Sequence, residues 1–117
     1  MKVKLERLAH ARSGDKGPNS NVGVIFYTPE AYELGVAQLT PERVKAHFGT
    51  LVKGEVTRYE LPNLLALNFI LHDSLGGGGS ESLLNDAQGK THGQAMLRLE
   101  LEVPDDFTLP PELPEMP

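Results

Sequence analysis

Cysteine is missing altogether from these 117 residues, which removes disulfides, thiolate zinc sites and thiol nucleophiles together. No apolar run approaches the ~20 residues that span a bilayer, so no membrane partner is expected. The opening residues, Met1-Lys2-Val3-Lys4-Leu5-Glu6, are charged and alternating rather than a signal peptide, and the chain reads as cytoplasmic. Bases are scarce in the second half. Through Arg58 there are nine Lys/Arg against six Asp/Glu; from Tyr59 onward there are two against ten, so +3 and −8 make up the net −5. That acidity argues against nucleic acid as a partner. The first half can still present positive surface to a small anion. A chain of this length is one domain and buries roughly two thirds of its unfolded surface, so it needs no metal staple.

Val3 to Ala9 fits a strand. His10 to Asn21 is dense in glycine, proline and polar side chains and reads as a loop. Val22 to Tyr27 reads as a buried strand in which Gly23 marks a close backbone approach. Thr28-Pro29-Glu30 and Thr40-Pro41-Glu42 are two helix starts, each with a capping hydroxyl, a proline that loses no hydrogen bond and a carboxylate at the positive end. The first helix is short and weakened by Gly35. The second puts Val44, Phe48, Leu51 and Val52 on one face and stops at Gly54. Glu55–Leu61 and Leu64–Leu71 form a hairpin around Pro62-Asn63. Thr91 to Met96 is expected as a short helix passing into a strand through Leu97, Leu99, Leu101 and Val103, although one longer helix would also bury Ala95, Met96 and Leu99. Residues 104–117 form a proline-rich acidic tail, an extended or disordered appendage or one docked through Phe107 and Leu109, after a domain spanning 1–103. The order implies an α+β, ferredoxin-like two-layer sandwich, with a mainly antiparallel sheet and helices on one face.

Five segments carry a resemblance: Leu8 to Gly17, Asn21 to Ile25, Thr40 to Phe48, Tyr59 to Phe69, and Leu71-His72-Asp73-Ser74-Leu75-Gly76-Gly77-Gly78-Gly79. Together they resemble the small ferredoxin-fold domain of the acyclic terpene utilisation (AtuA-like) family, here as a stand-alone chain. The resemblance implies a ferredoxin-like fold and a link to breakdown of acyclic terpenoids or other branched acyl-CoA compounds. It also implies that chemistry resides in a large companion subunit, and it transfers no catalytic residue.

The stretch from His10 to Asn21 gathers His10, Arg12, Ser13, Asp15 and Lys16 among glycines whose backbone N–H groups can cradle phosphate or carboxylate. The competing reading pairs Arg12, Asp15 and Lys16 with one another. Gly76, Gly77, Gly78 and Gly79, flanked by His72, Asp73 and Ser80, would let a ligand approach closely or would simply connect. Leu8 to Gly14 and Leu71 to Gly76 echo each other, each running from a strand through histidine into a glycine loop; coincidence in a glycine-rich sequence explains this somewhat better than duplication, but under duplication both loops would leave the sheet at comparable positions and could converge on one site. Gly89-Lys90-Thr91 lacks the upstream glycine of a phosphate-binding loop, since Leu84 holds that position. The four histidines show no helical ligand spacing, so neither a metal nor a cofactor is expected, and His47 reads as a partly buried helix residue. Ser13, Ser74 and Ser80 lack a nucleophile-elbow context. Two functions remain. One is a non-catalytic subunit binding an anionic, acyl-CoA-like ligand or a companion subunit. The other is a small enzyme using His10, His72 and Asp73 at a subunit interface. A homo-oligomer, most simply a dimer, follows from apolar strands with few helices to cover them.

Overall fold

A computed structural model of the chain describes residues 1–16, 19–49, 52–73 and 92–109, with only the backbone of Asp15 and Lys16. A short strand β1 (Lys2–Lys4) leads through a 3-10 turn (Leu5–Arg7) into β2 (Ala9–Lys16) and β3 (Asn19–Phe26). Two helices follow, α1 (Pro29–Gln38) and α2 (Pro41–Phe48), then β4 (Val56–Leu61), a second 3-10 turn (Pro62–Leu64), β5 (Ala66–Leu71) and β6 (Glu100–Glu102). Residues 92–96 are helical. A four-stranded antiparallel sheet has the order β2-β3-β5-β4, and β1 pairs with β6 in a separate ribbon. This is the expected α+β sandwich, and the short helix before the last strand is present.

Local chemistry explains the helices. Thr28 Oγ1 accepts from the Ala31 N–H and Thr40 Oγ1 from the Arg43 N–H, each at 3.1 Å. These hydroxyls satisfy amides that have no partner within the helix. Gly49, with φ 60°, terminates α2 after Phe48, earlier than the expected stop at Gly54. The core lies between the sheet and the helices. Side chains alternate along β3, with Ser20, Val22, Val24 and Phe26 buried, and Leu67, Phe69 and Leu71 of β5 join them.

Two expectations change. Val3 to Ala9 is not one strand, because Leu5 and Leu8 are both fully buried. Residues three apart share a side in a 3-10 turn but not in a strand, and the Leu5 N–H bonds Leu99 O at 2.8 Å. The supposed loop from His10 to Asn21 is mostly paired backbone, since β2 runs in register with β3 from Ala9↔Phe26 to Lys16↔Asn19. Its polar residues are tolerated because an antiparallel sheet can leave one face to water. After Val103, Phe107 and Leu109 pack against the core, the docked alternative for the start of the tail.

Candidate functional site

The helices cover one face of the four-stranded sheet and leave the other open. Strand register arranges the open face in rows. One row runs His10–Ile25–Ala66–Leu61 and the next Arg12–Gly23–Asn68–Tyr59. Between them lies a groove of about 320 Å³, lined by Arg12, Gly14, Asn21, Gly23, Ile25, Leu61, Leu64, Ala66 and Asn68 among others. That is near the lower end of the roughly 300–1,000 Å³ range of small-molecule sites. One end is polar, with a guanidinium and two carboxamides; the other is aliphatic.

Gly23 forms the floor. A Cβ there would meet Asn68 Oδ1 at 3.7 Å and Arg12 O at 3.9 Å, ordinary contacts, and the residue has no positive φ. The close backbone approach expected at Gly23 is therefore absent. Glycine weakens a strand interior, yet neither the backbone nor a neighbour requires it here. Its effect is to hollow the sheet face. Gly14, one row along, has nothing within 4 Å of an added Cβ. The Arg12 side chain is exposed, and its guanidinium has no hydrogen bond or ion pair with another described residue. Asn21 Oδ1 is buried without a hydrogen-bond partner among the described residues, and a carboxamide can offer either its oxygen or its NH₂ to a ligand.

The sequence-predicted residues divide between places. Arg12 lines the groove. His10 is on the same face, stacked on Tyr27 with ring centroids 5.7 Å apart. Ser13 also borders the groove, but its side chain is on the opposite face of β2, against Gly93, where an added Cβ would come within 2.9 Å of Ser13 Oγ. Alternation along a strand thus separates two neighbours that a loop would have kept together. The backbones of Asp15 and Lys16 pair with Ser20 and Asn19. His72 Nε2 lies 3.0 Å from Thr57 Oγ1, and the Asp73 N–H donates to Asn19 Oδ1 at 2.8 Å. Gly76, Gly77, Gly78, Gly79 and Ser80 lie outside the described residues.

The far end of the β2–β3 hairpin therefore meets the end of β5, but His10 does not meet His72. His10 pairs with Ile25, while Leu71, just before His72, pairs with Ser20, five residues along β3. At ~3.3 Å per residue this is roughly 17 Å. The sequence echo also places its histidines differently, His10 within β2 and His72 after β5. His47 is exposed, its Nε2–H donating to Ala95 O at 2.8 Å. The buried imidazole is His92, whose pKa burial pushes below its ordinary value.

Sequence reasoning missed Asn21, Asn68, Leu61 and Leu64. The available signal was period two, which sets Asn21, Gly23 and Ile25 opposite the core residues of β3.

A family model for the AtuA ferredoxin-like domain matches residues 3–102. The chain belongs to this family. The match takes in every strand that builds the groove in this AtuA ferredoxin-like domain, and nearly all of the β1–β6 ribbon. Comparison with curated proteins and with solved structures returns no match. No helix among the described residues is long and apolar enough to cross a membrane.

Proposed function

We propose that this chain is a non-catalytic binding and assembly subunit that holds a small anion with an apolar tail in the sheet-face groove. The observation that carries the reading is Gly23, a glycine that no contact or dihedral requires, at the floor of the groove beside an exposed guanidinium. Arg12 and the carboxamides of Asn21 and Asn68 suit a carboxylate or thioester head, because charge-assisted hydrogen bonds are the strong ones. Ile25, Leu61, Leu64 and Ala66 suit an aliphatic chain. The resemblance to acyclic terpene utilisation proteins extends the reading to breakdown of acyclic terpenoids or other branched acyl-CoA compounds in the cytoplasm, beside a large companion subunit. Within one chain His10 and His72 form no acid–base pair. Tyr59, Leu61 and Leu64 expose large apolar surface at the groove's rim, on which a second copy packs to make a dimer.

The test is a calorimetric titration with branched carboxylates and their CoA thioesters, together with light scattering. Arg12→Ala should weaken binding by about 1.5–3 kcal/mol. Gly23→Val should abolish binding while holding or raising the thermal midpoint, since valine suits a strand. Undiminished binding by Gly23→Val excludes the groove, and a monomer at all concentrations excludes the dimer.

A further inference from the structure

On the opposite side of the molecule, α2 and the β1–β6 ribbon enclose a second cleft, of about 430 Å³. Its polar lining is Lys2, Arg43, His47, Arg98 and Glu100. Arg43 and His47 stand one helical turn apart and so share a face of α2. Arg98, in the turn that follows the short helix, and Glu100, the first residue of β6, are both exposed and both line the cleft. Lys2 joins them from β1, whose register sets Lys2 opposite Glu102 and Lys4 opposite Glu100.

Two of the groups are held by backbone carbonyls. An Arg43 Nη2–H donates to Glu100 O, and the His47 Nε2–H donates to Ala95 O at 2.8 Å. His47 Nδ1 is left for another partner. Arg98 is exposed, and no side-chain bond ties it to another described residue. From Tyr59 onward the sequence has only two bases, and Arg98 is one of them. Three permanent cations thus face one carboxylate in a protein of net charge −5, an excess that attracts an anion locally.

Glu100 narrows the class. A carboxylate accepts hydrogen bonds and donates none, so it disfavours a bare anion and favours a ligand with a hydroxyl beside its charge. We propose that this cleft binds a phosphate monoester carrying a neighbouring hydroxyl, with the phosphate on Arg98, Arg43 and Lys2 and the hydroxyl on Glu100. The site is independent of the sheet-face groove.

Sugar phosphates and nucleoside monophosphates share this chemistry. The test therefore titrates the full chain, ¹⁵N-labelled, with ribose 5-phosphate, AMP, inorganic phosphate and ribose. Saturable shifts centred on the amides of Arg43, His47, Arg98 and Glu100 are expected with one or both esters, and their relative affinities distinguish the two sources. Arg98→Gln should weaken ester binding about ten- to hundred-fold, with Lys2→Gln as a second variant that leaves the core untouched. Glu100→Gln should keep phosphate binding and remove the preference for the ester over inorganic phosphate. No saturable shift in the cleft, or equal affinity in wild type and both cation variants, overturns the proposal.

Discussion

A Cβ added to Gly35 would stand 2.2 Å from Cζ of Phe26. That ring is only 2% exposed and is set edge-on to Tyr32, with centroids 6.0 Å apart, so it has little room to retreat. Glycine costs α1 roughly 1 kcal/mol of helix propensity, but it lets the helix lie directly on the sheet. Gly35→Ala should therefore destabilise the fold by about 1–3 kcal/mol through overpacking, seen as a lower urea midpoint at unchanged m-value. A more stable variant would mean that α1 can lift away from Phe26. In the sequence this glycine reads only as a weakness, because its benefit depends on a ring from another element. His92 makes a comparable point with charge. Its ring packs edge-on against Phe48 at 5.5 Å, and Nδ1 has no hydrogen-bond partner among the described residues. Burial lowers its pKa below the ordinary 6.5, so as pH falls the unfolded chain protonates this ring before the folded chain does. Its contribution to stability is complete above about pH 6.5 and is lost as pH falls from there through the folded pKa. His92→Leu should flatten that part of the stability profile in urea melts between about pH 8 and pH 5. An unaltered slope would assign the acid sensitivity to other groups.

At the scale of elements, α1 lacks a basic residue in its last turn, and β4 supplies one. Arg58 Nη1 donates to Val36 O and Leu39 O, both at 2.9 Å, while Nη2 pairs with Glu60 Oε2 at 3.1 Å. The guanidinium satisfies carbonyls at the negative end of the helix. Burial of the Tyr32 phenol raises its pKa, with Glu60 adding to the rise and Arg58 opposing it. Arg58→Met should cost about 1.5–3 kcal/mol, the scale of a hydrogen bond to a charged group. Amide exchange in α1 should quicken more than exchange in β5; equal change in both would show that Arg58 supports the sheet and not the helix end. The helix starts were legible because capping is decided within four residues. The β4–β5 hairpin was legible from its alternation and its proline turn, although β5 begins at Ala66, after Leu65 has turned through a left-handed φ of 52°. β2 was not legible. Its glycines and polar groups match a loop, and only pairing with β3 makes it a strand.

For the whole molecule, one sheet face is packed beneath the helices and the other is open, and that difference decides which parts of the groove could be read in advance. Arg12 was visible as a cation in a polar segment. Asn21, Asn68, Leu61 and Leu64 come together only through register across three strands, which no local pattern of this chain encodes. The β1–β6 ribbon shows a long-range dependence of another kind. The bond from the Val103 N–H to Met1 O, 2.7 Å long, and the pairing of Val3 with Leu101 join segments almost a full chain length apart. The β2–β3 and β4–β5 hairpins close short loops, whereas the ribbon must close a very long one, and the entropic cost rises with loop length. Hairpins should therefore form before the folding transition state and the ribbon after it. Leu101→Ala, a fully buried position, should cost about 2–4 kcal/mol, with nearly all of the loss in the unfolding arm of the chevron and refolding unchanged. Slowed refolding would place the ribbon in the nucleus instead. If unfolding alone accelerates, the pairing of residues 1–5 with 99–103 is the latch whose opening sets the lifetime of the native state.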